Sequence, residues 1–225
     1  MSFANKAPVH ASDYEVDPRD ATYRKQQSRI RLLNSVRLGL TALSLLAGVT
    51  ILGATSHALI VYNNTHLPSD FNLPLWPTEF DVRPTVALVV GSAIVVAANL
   101  VSFVFSKVRV LQSRKIMHNS VTFTAPFVGF AAALIGITFF YAVNASVTVD
   151  TLQSWSCQWG YATSMNVQPY FGTLCRQSKA ALYLAVILVP LELITLTVAG
   201  VQMSLERKAG AFHASAPKVS SPALS

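Results

Sequence analysis

One acidic residue stands inside a long apolar segment of this 225-residue chain. Glu192 lies in "VILVPLELITLTV", two residues after Pro190. A carboxylate at the centre of a bilayer costs about 3 kcal/mol on insertion scales, so such residues face other helices. They indicate either a polar contact between helices or an ion path. Pro190 removes a backbone donor, which predicts a helix kink at the same depth.

Counting along the apolar segments predicts which polar residues lie level with Glu192. At about 1.5 Å per residue, Glu192 lies roughly 18 Å deep, Asn99 roughly 21 Å, and Thr50 at the level of Glu192. Gly129 in the third segment leaves space for close approach. Two interpretations stay open: a protonated Glu192 donates a hydrogen bond to Asn99 or a backbone carbonyl, or Glu192 binds a proton, cation or lipid headgroup on a path. The absence of a second ionisable group at this depth favours the first.

Other residue types that carry chemistry form no recognisable constellation. The five histidines show no metal-ligand spacing, and two cysteines with 17 residues between them do not make a zinc site. No Ser/His/Asp order, phosphate loop or pair of carboxylates is present in the sequence. We therefore expect no catalytic residues, no metal, no cofactor and no enzymatic activity.

Composition predicts the elements that must position Glu192. The chain is 52% hydrophobic and only 12% charged, with a mean hydropathy of +0.44, which is typical of a membrane protein. Four apolar blocks are long enough to cross a bilayer, which takes about 20 helical residues. We predict an all-α membrane protein whose four-transmembrane-helix bundle occupies residues 38–203, after a polar and basic tail (1–37) and before a disordered tail (204–225). The predicted spans are residues 38–62, 85–106, 121–143 and 180–203.

The distribution of basic residues predicts an orientation. Fourteen of the 17 Lys and Arg residues lie on one side of the four spans, so both termini are predicted to be cytosolic and the first and third loops to face outward. This topology suits the plasma membrane or a secretory-pathway membrane, and it explains the net charge of +7 without a nucleic-acid partner. Anionic inner-leaflet lipids are the expected partners of the basic side. The residues expected to face them are Arg29, Arg31, Arg37, Lys107, Arg109, Arg114 and Lys115.

The first outer loop is rich in proline. Prolines at 68, 74, 77 and 84 forbid a helix there and disfavour a sheet. Trp76 is predicted to rest at the level of the lipid headgroups. Two glycosylation sequons begin at Asn63 and Asn144 on the outward side, close to span ends, and are possible modification sites.

The second outer loop holds both cysteines. Ser154–Cys175 contains no charged residue, and in an oxidising compartment a Cys157–Cys175 disulfide persists. Closing such a loop stabilises by about 3 kcal/mol. We predict a turn-rich cap, which is either a lid that ties the third span to the fourth or a surface for a partner. The aromatic residues of that contact surface are Trp155, Trp159, Tyr161, Tyr170 and Phe171.

Small residues recur at four-residue spacing within the spans. This spacing lets helix backbones approach closely and predicts a compact bundle, but it serves contacts within a chain as well as between chains. The pairs are Ser44/Gly48, Ala93/Ala97, Gly129/Ala133, Ala132/Gly136 and Ala181/Ala185.

The four-span pattern over residues 38–203, with a cysteine pair in the last outer loop, resembles the MARVEL-type and tetraspan membrane organisers. More narrowly, "DTLQSWSCQW" and "FGTLCRQSKAALYLAVILVPLELITL" look like a family of uncharacterised ascomycete fungal integral membrane proteins, over about residues 148–200. The claudin signature differs, because it has its tryptophan and cysteines in the first outer loop. The resemblance implies membrane organisation and carries no catalytic residues.

These observations together predict a non-enzymatic membrane organiser, scaffold or subunit of a larger membrane complex, in contact with lipid and with itself or other membrane proteins. The alternative is a small transporter or channel component with a path past Glu192.

Overall fold

The computed structural model describes residues 18–66, 76–77, 79–107, 115–145, 150–161 and 169–214. This part of the chain is almost entirely helical, and its only β-structure is a pair of two-residue strands. In chain order the elements are α1 (Pro18–Thr65), β1 (Phe80–Asp81), α2 (Arg83–Lys107), α3 (Lys115–Ala145), β2 (Asp150–Thr151), α4 (Leu152–Gln158) and α5 (Phe171–Ala214).

Four of these helices are long and apolar enough to cross a membrane. A helix satisfies all backbone polar groups within its own segment, which hydrocarbon requires. The apolar segments confirm the predicted class, an all-α chain with four candidate spans. They are Gln27–Thr65, Arg83–Ser106, Val121–Ala145 and Phe171–Lys208.

The four long helices pack in a closed ring. Helix α1 contacts α2 and α5, and α3 contacts the same two helices from the opposite side. The core between them is built from aliphatic side chains such as Ile51, Val95 and Leu188, together with buried alanines of α3 and α5. Each of the four helices therefore has one face in the bundle, and the described sheet lies outside this core.

Small residues line the interfaces inside this ring. Four of the five predicted small-residue pairs are buried between helices, and the fifth, Ala93/Ala97 on α2, is exposed. At Gly48 an added Cβ would lie 3.0 Å from Val96 Cγ2 of α2, so α1 and α2 approach as closely as a glycine allows. The bundle therefore uses most of its small residues for its own packing.

The helices extend beyond the predicted spans. Helix α1 begins at Pro18, a favourable residue for the first turn, so half of the predicted N-terminal tail is helical and continuous with the first span. No glycine or proline follows until Gly39 to interrupt it. Helix α5 continues to Ala214, so the predicted disorder from residue 204 was wrong up to that point. Residues 1–17 and 215–225 lie outside the described residues.

The two ends of the bundle differ in structure. We call the end where α5 begins the disulfide end, and the end where α1 begins the terminal end. At the disulfide end β1 and β2 pair in parallel, with Phe80 opposite Asp150 and Asp81 opposite Thr151. The first loop thus contains a strand although its prolines disfavour a sheet, because Pro77 and Pro84 flank these two residues and leave their N–H groups available.

Candidate intramembrane polar site and disulfide cap

Glu192 is completely buried where the four long helices meet. Its Oε1 accepts a hydrogen bond of 2.6 Å from Asn99 Nδ2 of α2. The same nitrogen also donates to the Val95 carbonyl oxygen at 3.1 Å. The structure thus brings together the two residues that the depth count paired, but the amide donates and the carboxyl group accepts, the reverse of the direction expected from the sequence.

Helices α3 and α1 close the site from the other sides. An added Cβ at Gly129 would lie 3.0 Å from Glu192 Oε2 and 3.2 Å from the carboxyl carbon, so the carboxyl group fills space that exists because residue 129 has no side chain. The buried Ser44 hydroxyl interacts with the same carboxyl group. Within the described residues, neither Ser44 Oγ nor Glu192 Oε2 has a hydrogen-bond partner of ordinary geometry. Each long helix therefore contributes one residue to the site.

Thr50 does not belong to this site. It is exposed, and its hydroxyl donates to the Leu46 carbonyl oxygen of its own helix at 2.9 Å. The depth count named Thr50 and missed Ser44 because it placed the helix ends wrongly. In the structure Ser44 lies 21 residues before Thr65, and Glu192 lies 21 residues after Phe171, so these two residues are level. Thr50 lies six positions after Ser44, which turns the two residues to different faces of α1.

Gly129 gives the first test of this packing. We expect Gly129→Ala to lower the free energy of unfolding by about 1–2 kcal/mol, because the new methyl group overpacks against the carboxyl group. The matched control is Gly53→Ala, since an added Cβ at Gly53 meets nothing within 4 Å. Unfolding of both variants in bicelles measures the difference, and an equal stability of the two would contradict the tight fit at Glu192.

A second polar cluster lies at the terminal end, between α1 and α5. Arg37 is almost fully buried and donates to Asn34 Oδ1 at 3.2 Å, while Glu206 of α5 attracts it electrostatically. Gln202 donates to Glu206 Oε1 at 3.0 Å. The prediction that Arg37 faces lipid headgroups was therefore wrong, because this cluster holds its guanidinium inside the bundle.

The structure describes the side chains of only some of the other basic residues that were predicted to face lipid. Arg29 and Arg31 are exposed on α1, as a lipid-facing or solvent-facing role requires. Arg109 and Arg114 lie outside the described residues, as do the side chains of Lys107 and Lys115.

The disulfide end carries the predicted bridge. Cys157 and Cys175 are bonded, which confirms the disulfide and ties α4 to the first turns of α5. The predicted turn-rich cap contains the short helix α4, which begins with a capping box. Ser154 N donates to Thr151 Oγ1, and Thr151 N donates to Ser154 Oγ. Serine replaces the usual Glu or Gln at the third position, which made this start harder to recognise in the sequence.

Trp76 lies at the centre of an aromatic cluster in this cap. Its Nε1 donates to Thr65 Oγ1 at 3.0 Å, and its ring meets those of Tyr62, Phe80 and Phe171 at centroid distances of 5.1, 5.2 and 5.5 Å. Only 4% of Trp76 is exposed. The structure therefore buries this ring against protein, and its level at the lipid headgroups stays a prediction.

The predicted aromatic contact surface is smaller in the structure. Trp159, Tyr161 and Tyr170 are exposed, with Tyr161 exposed to 92%. Trp155 and Phe171 instead pack against the buried cap cluster of Ala58, Trp76, Leu152 and Leu174. The sequence pattern could not separate these two groups, because they differ in contacts with residues that are distant in the chain, such as Ala58 and Trp76.

Both glycosylation sequons have polar groups engaged in the fold. Asn144 is partly buried, its Nδ2 donates to the Phe140 carbonyl oxygen, and its Oδ1 accepts from Thr151 Oγ1 at 3.1 Å. Asn63 is exposed on the last turns of α1, but Thr65 of its sequon donates to the Val61 carbonyl oxygen and accepts from Trp76. In the folded chain Asn63 is the more accessible of the two asparagines.

Among the described side chains, no group of three or more His, Cys, Asp and Glu residues is placed to hold a metal ion.

No curated protein and no solved structure matches this chain. The resemblance to MARVEL-type, tetraspan and fungal membrane proteins stays a prediction. One family model covers almost the whole chain, from residue 2 to residue 206. The chain therefore belongs to the family described as Domain of unknown function (DUF8762).

Proposed function

We propose that this chain is a non-enzymatic four-span membrane protein that organises its surroundings by lateral contact, with itself or as a scaffold or subunit of a larger membrane complex. The observation that carries the proposal is the exposed Ala93/Ala97 pair on α2. The other small-residue pairs serve contacts within the bundle. An outward small pair lets a second helix approach the α2 backbone closely.

The packing around Glu192 supports a structural role for the membrane interior. The carboxyl group is held by Asn99 and fits against Gly129 without space for a further side-chain atom. Hydrogen bonds of this kind hold helices together in lipid, where the hydrophobic effect does not drive helices to associate. The surfaces that remain for partners are the lipid-facing helix faces and the exposed aromatic residues of the cap.

The proposed orientation places the disulfide cap outside the cytosol and the terminal end in the cytosol. Disulfides persist in oxidising compartments, and basic residues concentrate on the cytosolic side. Both features favour the plasma membrane or a secretory-pathway membrane. Arg29 and Arg31, exposed on α1, would then meet anionic inner-leaflet lipids.

Self-association in nanodiscs tests the proposed function. We expect the double variant Ala93→Leu/Ala97→Leu to associate about tenfold more weakly than the natural chain, a change of about 1.4 kcal/mol, because leucines separate the helix backbones. The control is Ala142→Leu, which alters an exposed alanine on α3. Native mass spectrometry at several protein-to-lipid ratios gives the populations. A natural chain that is monomeric at every ratio, with no partner retained in mild detergent, would contradict the proposal.

A second candidate function rests on two buried oxygens that have no hydrogen-bond partner of ordinary geometry among the described residues. Glu192 Oε2 and Ser44 Oγ face one site, and an acid with a spare oxygen can take up a proton or cation. This would make the chain a small transporter or channel component. Proteoliposome flux that depends on pH and vanishes in Glu192→Gln would favour this candidate over the organiser.

A further inference from the structure

An apolar groove with a volume of about 460 Å³ runs between α2 and α3 on the lipid-facing side of the bundle. Its walls are large exposed side chains. Val90 and Ile94 form one wall on α2, and Ile135 and Phe139 form the other on α3. A concave apolar surface on the outside of a bundle offers more contact to a flexible hydrocarbon than the convex helix faces do.

The floor of the groove is made of small residues. An added Cβ at Gly91 would lie 3.2 Å from the Ala132 carbonyl oxygen, and one at Gly136 would lie 3.5 Å from the Ala87 carbonyl oxygen. The two backbones are therefore almost in contact there. Backbone positions at this crossing set the floor of the groove, and the branched or aromatic side chains beside it form the walls.

Arg83 gives this groove a charged end. It is the first residue of α2, it is exposed, and it lines the groove. The neighbouring acid, Asp81, accepts a hydrogen bond from the Arg83 backbone N–H at 2.8 Å and does not line the groove. A guanidinium forms paired hydrogen bonds with phosphate oxygens, so this end suits a phosphate group.

The length of the groove matches one leaflet. Arg83 and Ile94 are eleven residues apart on α2, which is about 16 Å along the helix axis. The hydrocarbon core of a bilayer is about 30 Å thick, so a groove of this length that begins at the headgroups reaches about the bilayer centre. A cation at the headgroup end and a leaflet-long apolar track together match the chemistry of a phospholipid.

We propose that the groove between α2 and α3 binds one acyl chain of a phospholipid whose phosphate group is held by Arg83. The branched walls contact the acyl chain along its length, and the guanidinium fixes the headgroup. This lipid site goes beyond the proposed organiser role. It does not require self-association, because all of its residues come from one chain.

Photolabelling of the full-length chain tests the site. The chain is prepared in maltoside micelles, whose detergent carries no phosphate, with a small fraction of phosphatidylcholine that bears a diazirine on one acyl chain. Peptide mapping after illumination should place the label several-fold more on the groove residues of α2 and α3 than on exposed residues of α5, such as Ile187 and Ile194. Even labelling of all lipid-facing helices would overturn the proposal.

Two variants separate the acyl track from the headgroup contact. Val90→Trp fills the groove and should abolish the excess label, whereas Ile187→Trp, at a similarly exposed position outside it, should leave the label unchanged. Arg83→Gln should weaken probe binding about tenfold, as expected for the loss of a charge-assisted hydrogen bond. Circular dichroism and gel filtration establish that each variant is folded.

A diacylglycerol with the same diazirine serves as the probe without phosphate. We expect it to label the groove about tenfold less than the phosphatidylcholine probe and to be insensitive to Arg83→Gln. Equal labelling by the two probes would overturn the phosphate contact. If cross-linking the chain into a dimer protects the groove and removes the lipid label, the proposed lipid site is overturned and the groove is assigned to a second copy of the chain.

Discussion

Asn99→Leu is expected to lower the free energy of unfolding by about 2 kcal/mol, because it leaves the buried Glu192 carboxyl group without its donor. Asn99 supplies the hydrogen bond of 2.6 Å to Oε1 and stands on a different helix from Glu192. Leucine has a similar size and removes only the polar function. Unfolding of the natural chain and the variant in bicelles measures the loss.

Because of the same hydrogen bond, the effect of a substitution at position 99 on the free energy of unfolding should depend strongly on the residue at position 192. The double variant Asn99→Leu/Glu192→Leu should recover most of the lost stability, since replacing both partners by apolar groups removes the unsatisfied carboxyl group as well as its donor. Glu192→Gln should change stability by less than about 1 kcal/mol, because its amide oxygen can still accept from Asn99. Additive effects of the two leucine substitutions would show that the pair does not couple α2 to α5.

Removal of the disulfide is the second large effect. Cys157→Ser/Cys175→Ser should lower the stability of the cap by about 3 kcal/mol, the value expected for closing a loop of this length. The cysteines are separated by 18 positions, and the bridge holds α4 against α5. Hydrogen exchange should therefore quicken at β2 and α4, while the centre of α3 stays protected.

Reduction of the natural chain provides the control for this substitution. Treatment with a reductant should produce the same increase in exchange at β2 and α4 without altering any residue. If the reduced chain and the serine variant both keep the protection of the oxidised cap, the aromatic cluster around Trp76 holds the cap and the bridge adds little. Free thiols in protein taken from its native membrane would also weaken the proposed orientation, because disulfides form in oxidising compartments.

These predictions concern two different places in the fold, the middle of the bundle and its disulfide end. The Asn99–Glu192 hydrogen bond joins α2 to α5 in the middle of the bundle, and Ser44 and Gly129 bring the remaining two helices to the same place. The disulfide joins elements at one end only. A chain that has lost the bridge should therefore keep its four-helix core, whereas a chain that has lost Asn99 should become less stable throughout.

The bundle itself follows from the sequence. Four apolar segments of bilayer length leave helices as the available structure, because hydrocarbon offers no partner to an unpaired backbone group. The disulfide also follows, since the chain has only two cysteines and both fall in one loop. Glu192 could be recognised as a special residue from its type alone, because a carboxyl group inside an apolar span needs partners from other helices.

Tertiary structure alone decided which residues meet Glu192 and which faces stay exposed. Counting along the sequence gives the depth of a residue in a helix, but it does not give the rotation of one helix against another. Small errors in the predicted helix ends led to the prediction of Thr50 at the level of Glu192, where the structure has Ser44. The same rotation buries Ser44/Gly48 and exposes Ala93/Ala97, although both pairs have the same spacing. Trp76 became part of a cap core because residues of α1, α4 and α5 pack around it, and no local pattern in the first loop predicts these long-range contacts.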